Sequence, residues 1–362
     1  MSLTFSVIME TCTLDLYTDY LLSSTGPTTA TGLSRLVEGA LSHDHITRWL
    51  SSAGWGSADI WRQAKPLIRQ AEAQRKAEEF AVLIVDDSVL EKAHTDVNEL
   101  IRTHWDHSQQ RYVKGLNFVS LLWQAGELAL PLAVELVRKT VPVYHPKTQK
   151  TSYQSPFTKN EYLQQMLRVA QQQVAYRYLL ADSWYASAEN MRLVRTLGHH
   201  FVFALESSRT VALSEAERAQ GRFQAVQTLA FPDAQPLRVY LRAVQQAVLV
   251  TRQVFINQDG SQGVLYLVSS DTDLNQAQLT TIYQRRWKVE EYHKSLKQNA
   301  SMGKSPTKTL TTQANHFLAA VLAYIKLEVL KLKCGISHFR LKAQLYTVGV
   351  KAMYQQLGQL RA

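Results

Sequence analysis

Ala81-Val-Leu-Ile-Val85 is an unbroken apolar run, and Asp86-Asp87-Ser88 follows it at once. A run this short and this uniformly apolar fits a strand buried on both faces. The acidic residues then stand where that strand emerges. Because successive strand residues point to opposite faces, one of Asp86 and Asp87 faces any site there, and the residues alone leave both open.

The order of elements around this strand narrows the architecture. Leu116–Trp123 and Leu128–Val137 read as two further strands joined around Gly126, so the first three strands are expected to be antiparallel. Thr140–Asn160 reads as a loop rich in proline and lysine. Glu161–Gln173 reads as a helix. Tyr176–Leu180 is again a strand, stopping at Asp182, with a helix over Ser187–Leu197 and a strand over His200–Leu205 beyond it. Both Asp86 and Asp182 are therefore expected at strand ends. Taken singly, each has an ordinary structural explanation: Asp86 could start a turn and Asp182 could cap a helix.

From Glu206 to Gly263 the pattern becomes short β-like runs, among them Arg238–Ala243 and Val248–Ile256. These read as a β-rich insertion. Leu265–Ser269 follows, leading to Asp271 and Asp273, which are placed to cap the next helix. His316–Lys333 and Ser337–Leu357 are helical patterns. The chain divides into a helical region over 1–80, an α/β core over 81–205 and 264–310, the insertion over 206–263 and a helical region over 311–362. In the first of these, Thr31–Ala40 and His43–Leu50 are short helical patterns with a tight Leu41-Ser42 connection, which is helix-turn-helix spacing. The second would offer His43, His45, Thr47 and Arg48 to a DNA groove, although any two helices of a small bundle show the same pattern.

The stretch Tyr283–Lys297 contains no glycine or proline and reads as one helix, with Ile282, Val289 and Leu296 on one face. At 3.6 residues per turn, Tyr283, Arg286, Glu290 and Lys297 fall within about 60° of one another. Glu291 lies about 100° off that stripe, so Glu290 is the better ligand candidate. A carboxylate flanked by an arginine, a lysine and a tyrosine suits a metal held next to phosphates. The alternative is a solvated helix with pairs such as Glu290/Lys294.

The spacing Tyr-x2-Arg-x3-Glu-x6-Lys, complete here as Tyr283, Arg286, Glu290 and Lys297, resembles the signature of a group of bacterial insertion-sequence transposases, the cut-and-paste kind with an Asp-Asp-Glu active site. The Glu290-Glu-Tyr-His-Lys294 run is similar to that group as well. The resemblance covers about Val82 to Lys297 and implies a ribonuclease-H-like mixed-sheet catalytic core. It implies Asp86, Asp182 and Glu290 as catalytic metal ligands, since the group's first motif reads Asp-x-Ser/Thr after an apolar strand. It also implies that Tyr283, Arg286 and Lys297 hold DNA near the cleaved end, with His293, Lys294 and Arg48 as further expected DNA contacts. Such enzymes bind terminal inverted repeats, cleave the ends and join the 3′-hydroxyls to target DNA. A homodimer pairs the two transposon ends.

The chemistry that fits is phosphoryl transfer assisted by two divalent ions roughly 3.5–4 Å apart. Mg²⁺ prefers oxygen ligands, so three carboxylates and a substrate phosphate suffice, with Mn²⁺ as a substitute. Other properties agree with this class. Lys and Arg exceed Asp and Glu by ten, which suits double-stranded DNA. Two cysteines, Cys12 and Cys334, make a disulfide scaffold or zinc site unexpected. The late apolar run Phe317–Leu330 is interrupted by Lys326 and Glu328, so it reads as a packed helix and no membrane partner is expected. The expected compartment is the bacterial cytoplasm, on the nucleoid. Two other readings compete: a ribonuclease-H-fold nuclease or resolvase without strand transfer, and a DNA-binding regulator without catalysis. The Tyr/Arg/Lys stripe disfavours the first, and the presence of all three acids disfavours the second.

Overall fold

The computed structural model describes residues 11–106, 110–231, 235–242, 244, 246–257 and 259–361. Residues 1–10 of the expected helical N-terminal region and Ala243, the expected end of a strand, lie outside the described residues. The described residues begin with four helices: α1 (Leu14–Ser23), α2 (Ala30–Leu36), α3 (His43–Ser52) and α4 (Ser57–Gln74). Strands β1 (Val82–Glu91), β2 (Arg102–Asp106), β3 (Arg111–Ala125), β4 (Leu128–Leu136), β5 (Val141–His145) and β6 (Lys150–Gln154) follow. Next come α5 (Lys159–Gln173), β7 (Tyr178–Ala181), α6 (Ala188–Thr196) and β8 (His200–Leu205). The middle part comprises β9 (Thr210–Ala212), α7 (Glu215–Ala219), β10 (Gln224–Ala225), β11 (Leu237–Leu241), β12 (Ala247–Ile256) and β13 (Gln262–Ser269). Four helices close it: α8 (Gln276–Gln284), α9 (Trp287–Gln298), α10 (Leu310–Cys334) and α11 (His338–Arg361).

One large mixed sheet organises these elements, in the order β10-β9-β11-β12-β13-β8-β7-β1-β3-β2, with β4 also paired to β3. β1 runs antiparallel to β3 and parallel to β7, and β7 runs parallel to β8. Ala81–Val85 is fully buried, as an apolar run covered on both faces must be. The strands of segment 206–263 do not stand apart: β12 pairs with β13, and β13 pairs with β8, so they extend the same sheet.

α10 is the hub of the helical layer. Most of its length is buried, and it receives the N-terminal helices through specific bonds. The Tyr17 hydroxyl lies 2.9 Å from His316 Nδ1, and Asn315 Nδ2 donates to the carbonyls of Leu50 and Ala53 at 2.8 and 2.6 Å. α10 ends at Gly335, whose φ of 65° suits a residue without Cβ. Among the described residues no helix is long and apolar enough to cross a membrane.

Several expectations need correction. Asp86 is not at a strand end: β1 continues to Glu91 because β3 pairs with it over its whole length, with Asp86 opposite Ser120. Thr140–Asn160 is not all loop, since β5 and β6 form an antiparallel hairpin there. α2 and α3 are not joined by a tight two-residue connection. α2 stops at Leu36, and Glu38 and Gly39 take positive φ in the longer loop. Asp271 does not cap the next helix, which Asn275 does together with Gln278. Asp271 is instead buried and accepts from the Tyr178 hydroxyl at 2.5 Å and from Arg177 at 3.2 Å.

Candidate active site

The stretch expected as one helix carrying the Tyr/Arg/Glu/Lys stripe is two. α8 ends at Gln284 and α9 starts at Trp287, with a tight turn between them: Arg286 N donates to Tyr283 O at 2.9 Å and Val289 N to Arg286 O at 3.0 Å. Arg285 lies in that turn with helical backbone angles. Its guanidinium is drawn to β3, with Nε 2.6 Å from Gln124 Oε1 and Nη2 3.1 Å from the carbonyls of Gln124 and Phe80. Beyond the turn, Val289, Tyr292, His293 and Leu296 bury one face of α9 at helical spacing, which fixes Glu290 and Lys297 at the edge of that face.

A cleft of about 780 Å³ opens beside this edge, and Asp86, Asp182 and Glu290 all line it. β1 supplies Asp86, the end of β7 supplies Asp182, and α9 supplies Glu290. Neighbouring parallel strands bring the two aspartates together, though 96 positions separate them in the chain. Asp182 also caps a short 3₁₀ turn, accepting from Trp184 N at 3.1 Å, so its expected alternative role is realised at the same time.

Burial and charge crowding together set the electrostatics. Burial first, then the carboxylates of Asp182, Asp87 and Glu290, push the Asp86 carboxyl up to about 8 against the opposing pull of Arg286. Burial and Asp87 raise Asp182 too. Arg286 Nη1 lies 3.4 Å from Glu290 Oε1 and 3.9 Å from Asp86 Oδ2, and one guanidinium does not offset three acids. Acids packed this closely with too little positive charge are a setting that a divalent cation relieves.

Asp86 and Asp87 occupy different surroundings. Asp87 accepts from Lys159 Nζ at 2.6 Å, from the Tyr185 hydroxyl at 3.1 Å and from Asn117 Nδ2 at 3.4 Å. Among the described residues, the Asp86 carboxylate accepts one hydrogen bond, from the backbone amide of Asp87 at 2.9 Å. One of its oxygens lies within 4.8 Å of ligand atoms of both Glu290 and His293.

The structure brings together some of the expected DNA contacts and not others. Lys297 Nζ reaches Ser88 Oγ at 3.1 Å and lines the cleft with Lys294. Tyr283 is half-buried behind Arg286, whose guanidinium lies 5.8 Å from its ring centre. Burial pushes the Tyr283 hydroxyl up to about 12. Arg48 is exposed on α3 and does not line the cleft. His293 lines the cleft but is only 5 % exposed and packs edge-on against Phe118. Burial pushes its imidazole down to about 3. Lys159 and Tyr185, which hold Asp87, were not singled out by spacing. Nothing local links Lys159 to a partner 72 positions earlier; the sheet does.

The chain matches the DDE superfamily endonuclease family over residues 9–240. It belongs to that family. Residues 157–326 also match the transposase DDE domain, a span that contains Asp182 and Glu290. No curated protein matches the chain. The mixed sheet fits the ribonuclease-H-like core of a DDE enzyme. As a DDE-type transposase/endonuclease, the protein is a metal-dependent enzyme acting on DNA, and the crowded acids of the cleft fit a divalent ion.

Proposed function

We propose that this DDE enzyme is a cut-and-paste transposase of the Tyr/Arg/Glu/Lys group, acting on the terminal inverted repeats of its own insertion sequence. It cleaves the ends and joins the 3′-hydroxyls to target DNA. The observation that carries this reading is the meeting of Asp86, Asp182 and Glu290 in one cleft, with Arg286 between two of them.

Asp86, Asp182 and Glu290 would hold two Mg²⁺ ions, with Mn²⁺ as a substitute; such ions activate the attacking oxygen and stabilise the leaving one. The remaining roles belong to the protein. Arg286 grips a phosphate as a planar fork and Lys297 acts as a point charge. Tyr283 orients Arg286 from behind, and Lys294 extends the basic edge of the cleft. Lys159 pairs with Asp87 and so holds the fourth acid of the cleft away from the metal position.

Residues 1–80 form the region that recognises the transposon end, with Arg48 on the exposed side of α3 as a contact. The catalytic unit is 81–205 with 264–310, the β-rich insertion is 206–263, and 311–362 is the C-terminal helical region. Two copies pair two transposon ends on the bacterial nucleoid.

The test is cleavage of a labelled fragment carrying the element's own end, with Mg²⁺, comparing wild type with Glu290→Gln. Nicking at the element boundary that disappears in the variant while end binding survives is the expected result. Binding without any cutting by wild type would transfer the protein to the regulator class. Cutting without joining to target DNA would make it a nuclease or resolvase.

A further inference from the structure

His293 has no role in the reading above, although it lines the same cleft. It follows Glu290 by three residues on α9, so the two side chains leave the helix on neighbouring lines. A carboxylate oxygen of Asp86, one of Glu290 and a ring nitrogen of His293 lie within 4.8 Å of one another. The histidine is 5 % exposed, and its Nε2 is buried without a hydrogen-bond partner among the described residues. A buried polar atom left unpaired beside a cleft calls for an explanation, and a missing ion is one such explanation.

The distances support it. Metal–oxygen and metal–nitrogen bonds of about 2.0–2.2 Å set ligand atoms up to roughly 4.3 Å apart across a single ion. Cis ligands of one ion sit nearer, roughly 3.0 Å apart by the same bond lengths, so a triangle with sides of at most 4.8 Å closes on one ion after side-chain shifts of up to about 1 Å.

We infer that His293 is a nitrogen ligand of the divalent ion held by Asp86 and Glu290, so that one metal position is a mixed oxygen–nitrogen site. The inference rests on the metal-centre reading above and assigns His293 a place inside it rather than on DNA. Imidazole suits transition metals, whereas Mg²⁺ favours oxygen donors alone. The site therefore binds Mn²⁺ in preference to Mg²⁺, and loss of the imidazole narrows that preference.

The experiment is pulsed electron paramagnetic resonance of Mn²⁺ bound to the full chain, alone and with a short DNA duplex. Wild type should show nitrogen modulation that changes from the ¹⁴N to the ¹⁵N pattern when histidine is ¹⁵N-labelled. The labelling arm uses unaltered protein and is independent of how any variant folds. In His293→Gln the modulation should vanish and Mn²⁺ affinity should fall roughly 10- to 100-fold, a range reached even by losing a group that orients a metal ligand. Bound Mn²⁺ without nitrogen modulation, or modulation that persists in His293→Gln, overturns the histidine ligand and leaves the carboxylate centre standing. Failure of wild type to bind Mn²⁺ with or without DNA overturns the metal centre itself, and the inference with it.

Discussion

Asp86 and Asp87 are neighbours on β1, yet Asp87 is held 2.6 Å from Lys159 while Asp86 faces Glu290 and His293 across the cleft. The alternation of side chains along a strand separates them. One carboxylate is engaged by three donors, and the other is repelled by every acid around it.

The two positions should therefore respond in opposite ways. Asp87→Ala leaves the Lys159 ammonium and the Tyr185 hydroxyl without their acceptor, and should destabilise the fold by about 2–3 kcal/mol in urea unfolding. Asp86→Ala should abolish cleavage with no loss of stability in chelator. Equal destabilisation by both would contradict the assignment of the two carboxylates.

Asp86 also sets a pH dependence. Folding raises its pKa from the ordinary 3.8 to about 8. Between these limits the metal-free folded chain keeps a proton that the unfolded chain has released, so this group's contribution to stability falls as pH climbs from about 4 to about 8. In EDTA, Asp86→Asn should melt higher than wild type at pH 8, on the order of 5 °C, and the two should converge near pH 4. Adding Mn²⁺ should restore wild type at pH 8 and leave Asp86→Asn unchanged. A difference that ignores pH would show that the burial and crowding of Asp86 are not the cause.

What could be read locally was read from short-range pattern. The buried run Ala81–Val85, the strand His200–Leu205 and the helices α5 and α6 announce themselves by periodicity and flanking residues, and their structure follows those signals. The break between α8 and α9 does not: the stretch holds no glycine or proline, and the Arg285 side chain in the turn is engaged by Gln124 and Phe80, 161 and 205 positions away. The hairpin β5–β6 escaped because its residues are largely exposed and lack an apolar alternation. The three acids could be ordered from motif resemblance. That a ring nitrogen of His293 comes near Asp86 could not, since Asp86 stands on β1, 207 positions earlier.

Gly115 offers a test of how tightly β1 must be held. A Cβ at this position would meet the Leu90 carbonyl oxygen at 2.3 Å, a backbone atom that has no alternative rotamer. Gly115 pairs with Glu91 in the same ladder that carries Asp86 opposite Ser120. Gly115→Ala should therefore push β1 and β3 apart and cost about 1–3 kcal/mol of stability. Cleavage under conditions where the variant is fully folded should fall with it, because the displaced strand is the one that positions Asp86. A variant as stable as wild type in thermal unfolding would mean that the two strands can separate without strain.

Arg286 stands between two of the three acids. Its Nη1 lies 3.4 Å from Glu290 and 3.9 Å from Asp86, and its ring partner Tyr283 limits where the guanidinium can go. Removing it takes away the nearest positive charge from the crowded acids and the fork that meets a phosphate. Arg286→Ala should lower the cleavage rate by about 10²–10³-fold, as for loss of one preorganised electrostatic donor. Arg286→Lys should recover little, because an ammonium restores the charge but not the planar pair of donors. Single-turnover cleavage at saturating DNA separates this effect from weaker end binding. Full recovery by lysine would reduce Arg286 to a simple counter-charge for Asp86 and Glu290.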